Sequence, residues 1–266
     1  MIDNNGLNGR VSIVTGASAG IGRAVARTLA AHGAGVLINA RRLEKLEELA
    51  AEINAECSAI DGKEPCAIVQ GDASDDAVIG SMLDRAEEHF GAQPDLVVVN
   101  AGRGLNGSVM TSETSEWEEM IRTNLLGAAK LIRAAGKRLV ELQESRDWPS
   151  KPADLVILGS TVGRHISPFS SMYGSTKFAV NSLAEAVRRE IGPKGVRVSL
   201  IEPAIVRSEF QSVAGYDPEG FGALMDKFGP VLEPDDIARS IAFICAQPAS
   251  VHISDIVVRP TRQDYP

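Results

Sequence analysis

The chain has 266 residues, of which 44% are hydrophobic and 23% charged, with a formal charge of −8. This suits one soluble α/β domain and argues against a nucleic-acid groove as the main surface, since phosphate binding wants a basic one. No apolar run approaches the roughly 18 residues of a membrane helix. Residues 1–6 lack a basic or apolar leader pattern, and three cysteines without a CxxC pair point to a reducing, cytoplasmic setting with no zinc or disulfide framework.

In chain order, short apolar runs fall at 11–14, 36–38, 67–69, 96–99, 155–158, 196–201 and 253–258. They are mostly unbroken rather than alternating, as in strands covered on both faces. Helical patterns lie between them. One is expected at 21–31. Leu43, Leu46, Leu49 and Ile53 mark a second, and Met82, Leu83 and Ala86 a third. A long helix is expected from Trp117 to about Leu142, another over 173–191 ending at Gly192-Pro193, and a last one over 234–246. Residues 143–152 read as a surface excursion. Residues 207–233 read as a long irregular stretch of the kind that forms a lid over a site. Strand–helix alternation with short joints predicts an α/β fold: one domain over 1–266, a doubly wound, seven-stranded parallel sheet flanked by helices.

The run Thr15-Gly16-Ala17-Ser18-Ala19-Gly20-Ile21-Gly22 closes the first strand and opens the first helix. Gly16 permits a tight turn, Gly20 a close backbone approach to a pyrophosphate, and Gly22 close packing of helix on sheet. The helix N-terminus offers free N–H groups and a positive dipole end. A glycine triplet alone is weak evidence, since a tight turn that holds no ligand also accounts for it. Further along stand Asn100-Ala101-Gly102 after the fourth strand, Asn124 in the long helix, Ser160 after the fifth strand, and Tyr173 four residues before Lys177 on one helix face. A nearby ammonium favours a phenolate, so Lys177 is expected to lower the Tyr173 pKa.

These motifs together, in this order, resemble the short-chain dehydrogenase/reductase family, and the resemblance covers almost the whole chain. It implies a Rossmann-type fold and hydride transfer between an alcohol or carbonyl and a nicotinamide cofactor. It implies Tyr173 as proton donor or acceptor, Lys177 as its electrostatic partner and ribose ligand, Ser160 as the group that positions the substrate oxygen, and Asn124 as holder of a water in a relay to Lys177. No metal is required. Expected cofactor contacts from the glycine loop are Gly16, Ser18, Ala19, Gly20, Ile21 and Gly22. Others are Asn100, Ala101, Gly102, Tyr173, Lys177, and, after the sixth strand, Pro203, Val206 and Ser208, where Ala204 stands in place of the family's usual glycine.

The second strand ends in Asn39-Ala40-Arg41-Arg42, with no acid until Glu44. A carboxylate there would repel a 2′-phosphate, whereas a guanidinium binds one bidentately. The expected cofactor is therefore NADP, with Arg41 the main contact and Arg42 the second. Asp72 and Ala73 resemble the family's adenine-edge contact, although Asp72 is equally readable as a turn or cap residue.

On the substrate side, Arg103, Arg164, His165 and Arg207 permit an anionic substrate such as a hydroxy or oxo acid, and equally read as surface cations that never meet it. Phe210, Tyr216, Phe221 and Phe228 permit an apolar pocket or simple packing of the lid. Residues 257–263 are similar to a subgroup that contains NADP-dependent dehydrogenases of 3-hydroxy acids. The resemblance also implies a homotetramer or homodimer built on the helices carrying Asn124 and Tyr173. There Ala128, Ala129, Ala134, Ala135 and Gly136 allow close contact, either between subunits or within one. The leading expectation is an NADP-dependent alcohol dehydrogenase or carbonyl reductase. Its rivals are a reductase of an imine or activated C=C bond and a non-catalytic NADP-sensing regulatory protein.

Overall fold

A computed structural model describes residues 4–265; residues 1–3, which belong to the stretch searched for a leader pattern, and Pro266 lie outside it. Seven parallel strands form one sheet in the order β3-β2-β1-β4-β5-β6-β7. They are β1 (Val11–Thr15), β2 (Gly35–Ala40), β3 (Cys66–Gln70), β4 (Leu96–Val99), β5 (Ala153–Leu158), β6 (Val196–Pro203) and β7 (Asp255–Val258). The strand order reverses beside β1, between β2 and β4, which opens a crevice at the carboxyl ends of the strands.

Helices cover both faces because successive strand residues point to opposite sides. Val14 and Ile38 pack on one face against α1 (Gly20–Ala31), α2 (Leu43–Glu56) and α9 (Pro234–Cys245) through Leu29, Leu46 and Ile241. Ile13 and Leu37 pack on the other face against α3 (Asp76–Phe90), α5 (Ala128–Glu144) and α6 (Ser171–Ile191) through Met82, Leu139 and Val180. Ala128 and Ala135 belong to this second core and Gly136 is buried, so these small residues serve packing within the subunit.

The long helix expected from Trp117 is interrupted. A short α4 (Trp117–Ile121) passes into a π-helical turn over Arg122–Gly127 before α5 begins. Asn124 lies in that turn and is buried.

The stretch 207–233 is not irregular, as its composition suggested. It forms a single turn, α7 (Phe210–Val213), and a longer helix, α8 (Pro218–Phe228). Asp217 accepts from the Gly220 amide and Pro218 occupies the first turn, an N-terminus signature that outweighs the two glycines inside α8.

At the amino ends of the strands lies a buried ion lattice. Arg10 reaches Asp95 at 3.0 Å and Asp154 at 2.5 Å, while Arg197 reaches Asp154 at 2.7 Å. All four side chains are nearly inaccessible. Arg10 and Arg197 also donate to the Cys245 carbonyl at the end of α9, so β1, β4, β5, β6 and α9 meet at one polar knot. Paired and hydrogen-bonded in this way, the buried charges are tolerated.

Candidate active site

The crevice at the switch point is a cleft of about 700 Å³. Its wall near β1 is the glycine loop. Gly16 has φ +68°, a left-handed conformation that disfavours side chains. A Cβ on Gly22 would overlap the Gly16 carbonyl oxygen and crowd Asn100 Nδ2, so only glycine lets α1 start this close to β1 and β4. Asn100 locks the loop by donating from Nδ2 to the Thr15 carbonyl at 2.8 Å. Thr15 Oγ1 in turn accepts from the amides of Asn100 and Ala101, each at 3.1 Å. Ala19 occupies the N-cap of α1 in an extended conformation and supplies no side-chain cap, leaving amide donors at a positive dipole end.

Next along the groove, β2 ends at Ala40, preceded by Asn39, whose side chain is fully buried. Its Nδ2 donates to the Val69 carbonyl at 2.9 Å, while its Oδ1 has no partner among the described residues. Arg41 and Arg42 both line the cleft. Arg41 pairs with Glu119 at 2.9 Å. Arg42 donates to Ser18 Oγ at 3.1 Å and pairs with Glu209, at the start of the α7 segment, at 2.9 Å. Asp72 Oδ1 accepts from the Ser74 amide at 2.9 Å, and its Oδ2 from Arg122 at 2.8 Å. Burial alone would raise the Asp72 pKa; these bonds outweigh it and hold the carboxyl below its ordinary value. Asp72 thus makes the turn while also lining the cleft with Ala73.

Ser160, Tyr173 and Lys177 come together where β5 ends. Ser160 follows β5, and its hydroxyl donates to the Pro203 carbonyl at 3.4 Å. Tyr173 sits in the first turns of α6, mostly buried, with Phe210 edge-on at 5.5 Å between ring centroids. Lys177 lies one helical turn further, 8% exposed; its Nζ stands 5.9 Å from the Tyr173 ring centroid and donates to the Leu158 carbonyl at 2.7 Å.

Burial pushes the Tyr173 phenol well above its ordinary pKa, and a hydrogen bond with Ser160 opposes this only in part. The expected lowering by Lys177 is therefore corrected. Desolvation dominates for both groups, and burial brings the Lys177 ammonium itself down to about 8.

The π turn brings Asn124 alongside. Its Oδ1 accepts from the Arg103 amide and its Nδ2 donates to the Arg103 carbonyl, both at 2.8 Å, with a further bond to Thr176 Oγ1 at 3.2 Å. Its amide thus bridges β4's loop and α6. An inserted residue in the helical ladder is a common way to aim a functional side chain.

Pro203, the last residue of β6 rather than one after it as expected, and Val206 line the cleft; Val206 bridges to Leu232. Ser208 Oγ accepts from the Phe210 amide and starts α7. A Cβ on Gly20 would come within 3.2 Å of Ser208 Cβ, so the glycine loop and the start of the segment leading to α7 nearly touch.

Sequence reasoning passed over Thr15, Asn39, Thr176, Glu119 and Glu209. Thr15 and Asn39 had a signal, since they adjoin the glycine run and the arginine pair. The two glutamates had none, because their partners lie far away in the chain.

Residues 10–218 match the short chain dehydrogenase family. The human dehydrogenase/reductase SDR family member 11 is 31% identical over 260 residues, covering 96% of this chain and 95% of that protein. The chain belongs to the short-chain dehydrogenase/reductase family and is an oxidoreductase of that family. Among solved structures, it is similar to an alcohol dehydrogenase from the archaeon Thermococcus sibiricus complexed with 5-hydroxy-NADP, at 28% identity and TM-score 0.79, covering 97% of this chain and 99% of that one. It is also similar to the closed form of a serine dehydrogenase complexed with NADP+, at 28% identity and TM-score 0.82, covering 96% of each chain. Among the described residues, no helix is long and apolar enough to cross a membrane.

Proposed function

We propose that the protein is an NADP(H)-dependent oxidoreductase that interconverts an alcohol and a carbonyl compound. The observation that carries this reading is the convergence of Ser160, Tyr173 and Lys177 on a cleft whose other end holds the glycine loop and two arginines. The residues present fit the cofactor. The uncapped start of α1 suits the pyrophosphate, and Asn39 Oδ1 is a buried acceptor awaiting a donor. Arg41 and Arg42 suit a 2′-phosphate. NADP complexes among the similar structures support the same choice.

When bound, the nicotinamide donates or accepts hydride. The protein does the rest. Ser160 holds the substrate oxygen. In reduction the carbonyl π pair moves onto that oxygen, which takes the Tyr173 proton. In oxidation Tyr173 takes the proton back. A phenol raised by burial stays protonated at neutral pH and so is stocked for reduction. Lys177, where charged, eases loss of the phenol proton, and Asn124 fixes the helix turn next to it. The segment 207–233, through α7 and α8, serves as the lid. A homodimer or homotetramer would cover the exposed Leu126 on the π turn and Phe178 on α6.

The test is NADPH consumption across ketones, aldehydes and oxo acids, with Tyr173→Phe as control. The variant should bind NADPH as before and lose turnover. Normal turnover in the variant would overturn the reading.

A further inference from the structure

We infer that the substrate is a neutral ketone or aldehyde, or the matching carbinol, with a bulky apolar substituent, and that carboxylate-bearing substrates are selected against. This rests on the alcohol–carbonyl reading above and narrows it.

Beyond Lys177, which the reaction itself uses, the cations on this side are either paired with an acid or off the cleft lining. Arg103, 18% exposed, is paired with Glu116 and approaches Glu119 at 3.8 Å. Arg164 forms a two-pronged contact with the fully buried Glu202, at 3.0 and 2.5 Å, and Asn181 holds the same carboxylate at 2.7 Å. Arg207 pairs with Glu233 at 3.2 Å. The His165 ring meets Arg259 at 3.0 Å. Among the described residues, the cleft lining includes none of Arg164, His165, Arg207 and Arg259. Lys227 lies on the lining, with Asp264 beside it at 3.3 Å, so that corner carries no net charge.

Phe210, Val213, Tyr216, Phe221, Leu224 and Phe228 line the cleft instead. Phe210 stacks edge-on against Tyr173, Tyr216 and Phe221 pair at 5.6 Å, and Phe228 is buried. At the mouth, Phe169 is 76% exposed and Val213 57% exposed, yet both line the cleft. Large apolar side chains left in water around a cleft mark a surface that gains by contact with an apolar ligand. Aromatic rings in edge-on arrangements favour a further ring of the substrate. A carboxylate placed against these rings would lose its water without gaining a charged partner.

The test compares acetophenone with benzoylformate, which differ in a methyl against a carboxylate on the same aryl ketone. NADPH oxidation gives kcat/KM for each, and calorimetry on the protein–NADP+ complex gives the affinity of each. The expected result is a preference for acetophenone of at least about 30-fold in both readouts. Val213→Lys should shift the ratio toward benzoylformate by about 10-fold or more. Benzoylformate handled as well as acetophenone overturns the inference while leaving the carbonyl reading intact. Binding that favours acetophenone without reduction of either compound supports the pocket assignment and overturns the reaction instead. No binding of either compound, or no shift with Val213→Lys, overturns the inference.

Discussion

Lys177 Nζ donates to the Leu158 carbonyl at 2.7 Å, tying the reacting face of α6 to the end of β5 just ahead of Ser160. An ammonium has three donors, so this bond anchors the amine and leaves donors for the cleft that Lys177 lines. The same burial that positions the amine makes its charge costly.

Replacing Lys177 by methionine should therefore stabilise the fold while disabling it. The pKa falls from 10.5 to about 8 on folding. Below about 8 both states are charged and the folded chain bears the full cost, on the order of 3 kcal/mol at 1.36 kcal/mol per unit. Between the two values the unfolded state binds more protons, so this group makes stability rise with pH; above both, the cost is gone. After the loss of one hydrogen bond, about 1 kcal/mol, Lys177→Met should gain about 2 kcal/mol at pH 7 and much less near pH 10.5. Urea unfolding at both pH values checks this, and an equal gain at both would contradict it.

The rate should carry the same signature. For carbonyl reduction, kcat/KM should be level below pH 8 and decline through about 8 as Lys177 loses its charge. Tyr173, raised by burial, remains protonated throughout that window. Lys177→Arg should remove the inflection. An unchanged inflection in that variant would assign it to another group.

Tyr173→Phe should lower kcat by about 10²- to 10⁴-fold, the usual value of a positioned acid or base. NADPH affinity, measured by fluorescence titration, should change little. A parallel loss of affinity would mean that the phenol holds the cofactor rather than the substrate oxygen.

Arg41→Ala and Arg42→Ala should each weaken NADPH more than NADH. Both arginines are exposed and already paired, with Glu119 and Glu209, so the effect per residue should be modest, roughly 5- to 20-fold, and fade with added salt. Equal losses for the two cofactors would remove the 2′-phosphate assignment.

Gly22→Ala should be costly because the new methyl overlaps the Gly16 carbonyl oxygen and has packed backbone on that side. A loss of about 1–3 kcal/mol is expected from overpacking. Chemical denaturation checks it, and Gly80→Ala, where a Cβ meets nothing, is the control.

Much of the fold was legible because its signals are local. Unbroken apolar runs, helix periods and the Gly192-Pro193 stop fix the strands and most helices. The motif residues Ser160, Tyr173, Lys177 and Asn124 could be singled out through the resemblance to the family, in which each sits at a fixed place relative to those elements. The helices α7 and α8 were missed because α7 is a single turn and Gly220 and Gly222 weaken the helical pattern of α8. Asp217-Pro218 was the available clue. The π turn at Asn124 leaves no trace in periodicity, since it depends on the partners Arg103 and Thr176. The pairing of Arg164 with Glu202 and of Arg41 with Glu119 joins positions far apart in the chain, and no spacing rule brings them together. The rise of the Tyr173 phenol was misjudged because burial depends on Phe210 and the residues around it, while the Lys177 spacing is visible at once.

The Arg10–Asp154–Arg197 knot grips the strands at their amino ends, at the opposite rim from the cleft. Foundation and workbench are thereby decoupled. The loops at the carboxyl rim lie away from that knot, so a graft confined to 208–227 should alter substrate preference while leaving in place the knot and the anchor of buried Phe228 and Val231 and half-buried Leu232.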